Sequence, residues 1–218
     1  MIKGIIFDMD GTILNTLTDI KISVNYALEI CGYPMKSEDE IRKAVGNGAK
    51  KLIERVTPSN NKDILKKVYD IYQNYYDQHP NDHTKPYEGM IDVLKALKDQ
   101  GYKLAVVSNK VDYLVKQLNK DVFYGLFDAA IGEREGVPIK PHKDMLMIAL
   151  SELKLSLNDV IFVGDSDTDM LTAKHAEIDA VAVTWGFRDE DVLSSYNPKW
   201  MIHHPKELLD KIKEVNDI

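Results

Sequence analysis

Two short acidic turns, each set directly after an apolar run, constrain this chain more than any other feature. Gly4-Ile5-Ile6-Phe7 leads into Asp8-Met9-Asp10-Gly11-Thr12, and Val160-Ile161-Phe162-Val163 leads into Gly164-Asp165-Ser166-Asp167-Thr168-Asp169. Apolar runs this rich in β-branched residues read as strands buried on both faces, as in a parallel sheet, and such sheets gather ligands at the carboxyl ends of their strands. Both turns are therefore expected at one rim. Carboxylates a few ångström apart repel by roughly 4 kcal/mol at an effective dielectric of about 20, so a cation is expected between them. Mg2+, hard and oxygen-seeking, suits that place.

The 218 residues suffice for one substantial core and a smaller lobe. A formal charge of -7 without a dense Lys/Arg stretch argues against a nucleic-acid or membrane-surface role and for a small-molecule partner. The start of the chain enters a strand pattern with no basic leader or long apolar segment, so a cytoplasmic protein without a membrane span is expected. The single cysteine, Cys31, has no partner for an intrachain disulfide and reads as a small helix residue packed inside. Monomer and homodimer remain equally open.

Periodicity supplies the architecture. After the first acidic turn the pattern is helical for roughly seventy residues: Leu17, Ile20, Val24, Leu28 and Cys31 form one apolar face, Ser37 with Glu40 forms a capping box, and Ile64, Leu65, Val68, Ile71, Tyr72 and Tyr75 repeat at helical spacing. Asn81 to Pro86 reads as a linker. Helix and strand then alternate, with strands at Leu104-Val107, Ala129-Ile131, Val160-Val163 and Ala180-Val183. The expected fold is a doubly wound, Rossmann-like α/β parallel sheet, residues 1–15 and 84–218, interrupted by a helical cap, residues 16–83.

Phosphoryl transfer is the chemistry the acidic turns suggest, because it needs a positioned nucleophile, charge neutralisation and leaving-group protonation together. Asp8 can attack phosphorus and form an aspartyl-phosphate. Asp10 can protonate the departing oxygen and later deprotonate water. Ser108 and Asn109, after the strand through Val107, can bind phosphoryl oxygens, though Ser-Asn is also ordinary helix-capping chemistry. Lys140 can offset charge on Asp8 and the phosphoryl group, or be a surface lysine. Asp165 is a third metal ligand, Asp169 can orient Lys140, and Asp167 caps the following helix. His142, His203 and His204 lack partners at metal-ligand spacing and read as solvent-facing.

In order, Asp8-Met9-Asp10-Gly11-Thr12, Ser108-Asn109, Lys140-Pro141 and Gly164 to Asp169 resemble the four motifs of the haloacid dehalogenase superfamily. The resemblance implies that Asp8 is the nucleophile and Asp10 the general acid/base, with Asp8, Asp165 and the backbone carbonyl of Asp10 holding Mg2+ and Ser108 and Lys140 binding the phosphoryl group. It implies a mobile cap that excludes water and reads the leaving group. Members that dehalogenate lack a carboxylate at the position of Asp10.

Val45-Gly46-Asn47-Gly48-Ala49 and Val183-Thr184-Trp185-Gly186-Phe187 look like phosphoglycolate phosphatases, with Lys143 departing from the usual Lys-Pro-x-Pro. On that resemblance Asn47 and Thr12 join Ser108, Asn109 and Lys140 as substrate contacts, and Lys50, Lys51 or Arg55 can meet a carboxylate. The expected activity is Mg2+-dependent hydrolysis of a small phosphorylated metabolite, with 2-phosphoglycolate leading. A sugar-phosphate mutase similar to β-phosphoglucomutase, a pyrophosphatase and a non-catalytic phospho-ligand sensor are the alternatives.

Overall fold

The computed structural model describes residues 1–216. Its frame is a six-stranded sheet, parallel at every pairing, laid out in the order β5-β4-β1-β6-β7-β8. The strands are β1 (Gly4–Phe7), β4 (Lys103–Val111), β5 (Ala129–Glu133), β6 (Val160–Gly164), β7 (Asp179–Val183) and β8 (Trp200–Ile202), and β2 and β3 belong to a separate small pairing described below. The central β1 is buried at all four positions, as expected of a strand covered on both faces. Its alternating side chains feed two cores: Ile5 and Phe7 join one, against Leu94, Leu104 and Val163, while Ile6 joins the other, against Val107, Leu150 and Phe162.

Four helices leave this frame between β1 and β4: α1 (Leu17–Ile30), α2 (Glu38–Ala44), α3 (Gly48–Val56) and α4 (Lys62–Gln78). They enclose an apolar cluster of their own around Val24, Leu28, Ile41, Ile53, Val68 and Tyr72, which Leu114 and Phe187 of the sheet layer also enter. The capping box of Ser37 and Glu40 opens α2. Where a linker is expected, β2 (Leu14–Asn15) and β3 (Lys85–Pro86) pair antiparallel across the root of the lobe. Two-residue strands show no alternation to read, which is why the sequence pattern passes over them.

The remaining helices are α5 (Met90–Asp99), α6 (Asp112–Asp121), α7 (Asp144–Leu153), α8 (Asp167–Ala176), α9 (Glu190–Ser194) and α10 (Glu207–Asn216). Helix α3 and strand β8, together with the late helices α9 and α10, have no counterpart among the sequence expectations. The first is hidden by Gly46-Asn47-Gly48 at its start, and the second is a three-residue edge strand just after Pro198. Asn216 closes the molecule by accepting from the Ile2 amide at 2.7 Å and donating to the Ile2 carbonyl at 3.0 Å. No helix among the described residues is long and apolar enough to cross a membrane.

Candidate active site

Asp8 stands just beyond β1 and Asp165 just beyond β6, and these neighbouring strands bring the two acidic turns together. Single carboxylate oxygens of Asp8, Asp165 and Asp169 lie within 4.8 Å of one another, all three residues being buried. The sharp turn after Asp10 depends on Gly11, whose φ of +90° favours glycine and whose missing side chain would otherwise overlap the Asp165 carboxylate. Thr12 is wholly buried, and its hydroxyl donates to Asp165 Oδ1 at 2.8 Å. Its side chain therefore positions Asp165, a correction to the expected substrate contact. The Phe187 amide holds Asp165 Oδ2 from the other side at 2.7 Å, and Trp185 Nε1 donates to the Thr12 carbonyl.

Lys140, 2% exposed, is no surface lysine: its ammonium lies 2.8 Å from Asp8 Oδ1 and 2.6 Å from Asp169 Oδ1. Ser166 caps α8 in a box with Asp169, donating to Asp169 Oδ2 through its amide at 3.1 Å and its hydroxyl at 2.6 Å. The cap of α8 is thus Ser166, whereas Asp167, expected in that role, pairs with Arg188 Nε at 2.7 Å.

One ammonium serves three buried carboxylates. Burial first, and then the neighbouring Asp169 charge, raise Asp8 well above the ordinary carboxylate range against the pull of Lys140. The same two causes push Asp165 up to about 7, against the hydrogen bonds from Phe187 and Thr12. Burial alone would lower Lys140, but Asp169 and Asp8 outweigh it and raise the group, keeping it charged. The surplus negative charge and all-oxygen donor set fit a hard divalent cation. Each of the three carboxylates is already hydrogen-bonded, Asp169 to Lys140 and Ser166, Asp165 to Thr12 and the Phe187 amide, and Asp8 to Lys140 through one oxygen.

Strand β4 runs four residues further than its apolar pattern, with a register irregularity between Val107 and Val111, and so carries Ser108 and Asn109 within its tip. Asn109 lines the cavity between the rim and the helical lobe, but its amide is bonded to backbone groups. It accepts from the Lys140 amide at 2.9 Å and donates to the carbonyls of Lys140 at 3.0 Å and Gly46 at 3.2 Å, thereby fixing the Lys140 loop and tying it to the helical lobe. Asn47 is turned away: it donates to Thr168 Oγ1 at 2.7 Å and accepts from Arg55 at 2.6 Å. The backbone at Gly46 and Gly48 does face the site.

A cavity of about 60 Å³ lies between the rim and the helical lobe. Asp8, Asp10, Ser108, Asn109, Lys110 and Lys140 line it from the sheet, and Ile20, Val45, Gly46, Gly48, Leu52, Tyr72, Gln73 and Tyr76 from the lobe. Lys50, Lys51, Arg55, His142 and Lys143 do not line it. Lys51 pairs with Glu54 instead, and His203 and His204 are exposed.

Lys110 and Arg188 are absent from the sequence expectations. Lys110 had a legible signal, standing two residues beyond Ser108 on the same strand. Arg188 had none, since its donors reach Val45 O at 2.7 Å and Arg42 O at 3.3 Å across the chain.

A family model for haloacid dehalogenase-like hydrolases matches residues 5–183. The chain belongs to that family. Among relatives of this hydrolase, a phosphoglycolate phosphatase from Colwellia psychrerythraea is 30% identical over 96% of each chain, and one from Aquifex aeolicus is 31% identical over 95% of each. A haloacid dehalogenase-like family hydrolase from Streptococcus pneumoniae superposes with a TM-score of 0.88 at 27% identity, over 97% of this chain and 98% of its own. The hydrolase is thus a phosphoglycolate phosphatase-like member of its superfamily, on the expected α/β fold.

Proposed function

We propose that this hydrolase is a Mg2+-dependent phosphomonoesterase that works through an aspartyl-phosphate in the cytoplasm, with 2-phosphoglycolate as its substrate. The observation that carries the reading is the buried Lys140 ammonium shared by Asp8 and Asp169 at the base of a cavity that Asp10 and Ser108 also line. Asp8 attacks phosphorus, forming the P–O bond of the acyl phosphate as the bond to the leaving oxygen breaks. Asp10 delivers a proton to that oxygen, then takes one from the water that attacks the acyl phosphate, releasing inorganic phosphate and restoring Asp8. Lys140 and the Ser108 hydroxyl offset charge on the phosphoryl oxygens. Asp8, Asp165 and the Asp10 carbonyl would hold Mg2+, which supplies further neutralisation of that charge.

The substrate assignment is supported by the relatives' names and by the confined cavity, whose lobe side combines the apolar Ile20, Val45, Ala49 and Leu52 with the polar Tyr72, Gln73 and Tyr76. The test is phosphate release from 2-phosphoglycolate, β-glucose 1-phosphate, pyrophosphate and several sugar phosphates, with and without Mg2+, beside Asp8→Asn. Mg2+-dependent release led by phosphoglycolate and abolished by the substitution is expected. A different leading ester removes the substrate assignment, and full activity of Asp8→Asn removes the mechanism.

A further inference from the structure

Two ammonium groups face the cavity, and only one belongs to the phosphoryl end. Lys110 Nζ lies 3.0 and 3.2 Å from the two Asp10 oxygens and 2.6 Å from the hydroxyl of Tyr76, which reaches in from α4. An ammonium has three donors. Two contacts go to the single Asp10 carboxylate and one to the Tyr76 oxygen, so the ammonium lines the cavity with its charge facing one acid and one neutral phenol. Tyr76 accepts from Lys110, and no acceptor for its own O–H stands among the described residues. Burial, then the charge of Asp10, raise this phenol well above its ordinary value, so it keeps its proton.

The Lys110 ammonium and the uncommitted Tyr76 O–H therefore stand together beside the group that meets the leaving oxygen. Their parent atoms are 2.6 Å apart, a separation that the two oxygens of one carboxylate can span. Of the lobe cations expected to meet a carboxylate, Lys51 pairs with Glu54 and Arg55 with the Ala44 carbonyl and Asn47, and neither they nor Lys50 line the cavity.

We propose that Lys110 and Tyr76 form the leaving-group site: the ammonium and the phenol bind a carboxylate on the group esterified to phosphate and select compact anionic leaving groups over neutral ones. The assignment rests on the phosphatase reading above and adds the residues that choose its substrate. Lys110 acts on specificity directly and on Asp10 by contact, and the two roles separate experimentally.

The experiment compares kcat/KM on a matched pair, 2-phosphoglycolate and 2-hydroxyethyl phosphate, which differ only by carboxylate against carbinol. Wild type is expected to prefer the first. Lys110→Met should lower kcat/KM on phosphoglycolate by at least about 10-fold more than on the neutral ester, the excess falling chiefly on KM, while a loss common to both esters reports the contact with Asp10. Lys110→Arg should retain the preference, and Tyr76→Phe should raise KM for phosphoglycolate by roughly 5-fold. Equal losses on both esters, or a wild-type preference for the neutral one, would overturn the site.

If wild type hydrolyses neither ester, binding decides. Calorimetric titration of Asp8→Asn with 2-phosphoglycolate and with inorganic phosphate should show Lys110→Met weakening the first by at least about 30-fold and sparing the second. Equal weakening overturns the site, while release of phosphate from the wider ester panel judges the phosphatase reading separately.

Discussion

Chelation of Mg2+ should make the stability of this protein depend on pH in a direction opposite to that of most carboxylates. Asp165 has an ordinary value near 3.8 and is pushed up to about 7 in the fold, first by burial and then by Asp169. The folded state then binds this proton more tightly than the unfolded chain. The sign follows: stability of the metal-free protein falls as pH climbs from about 4 to about 7 and levels off beyond. At about 1.4 kcal/mol per pH unit, the interval between pH 5 and pH 7 is worth roughly 3 kcal/mol, and Asp8, raised for the same reasons, adds in the same direction. A cation seated between these carboxylates removes the penalty, so protection by Mg2+ should grow with pH. Thermal unfolding in EDTA and in Mg2+ from pH 5 to pH 8 measures it, with a gap that widens by roughly 6 to 12 °C. Asp165→Asn keeps an acceptor for Phe187 while abolishing the titration, and should flatten the metal-free profile. A gap that is constant across pH, or a metal-free stability that rises toward pH 8, would refute the reasoning.

Other perturbations probe the supports of the site. Lys140→Met strips Asp8 and Asp169 of their shared ammonium and should cost about 3 to 5 kcal/mol in urea unfolding, along with phosphate release. Gly186→Ala places a methyl against Asp165, which has no room to retreat between Phe187 and Thr12, so a Mg2+ titration of activity should shift by about 10- to 100-fold with the fold retained. An unshifted titration would mean that the loop yields. Arg188→Ala removes the donors to Val45 and Arg42, and amide exchange across residues 42–48 should quicken while the rest of the chain keeps its protection.

The architecture was legible wherever periodicity ran long enough. The alternation from α5 to β7 and the apolar stripe of α1 both emerge at their expected places, because burial on one face or both leaves a repeating trace. Pairings that β2, β3 and β8 make through two or three residues leave no such trace. In the site, Asp8, Asp165, Asp169 and Lys140 were named from motifs and are brought together by β1, β6 and the Lys140 loop. The polar residues were harder to read, because their roles depend on partners distant in sequence. Thr12 turns to Asp165, Asn47 to Thr168 and Asn109 to the Lys140 backbone, so three side chains expected to meet substrate stabilise the scaffold around it. Conversely the spacing of Lys110 from Ser108 places it on the same strand, but its role depends on Tyr76, which lies 34 residues away.

The root of the helical lobe has a consequence of a different kind. Leu14 pairs with Pro86 and Asn15 with Lys85, and Asp19 accepts from the His83 amide at 3.1 and 3.0 Å, the Thr84 amide at 2.8 Å and the Thr84 hydroxyl at 2.7 Å. Chain leaving the sheet layer is thus stitched to chain returning to it, and the sheet experiences the whole excursion as one closed loop. The entropy of closing such a loop rises so slowly that doubling its length costs roughly 0.6 kcal/mol. A lineage could therefore lengthen, trim or exchange the lobe, and with it the wall that meets the leaving group, without renegotiating the stability of the phosphoryl-transfer apparatus beneath.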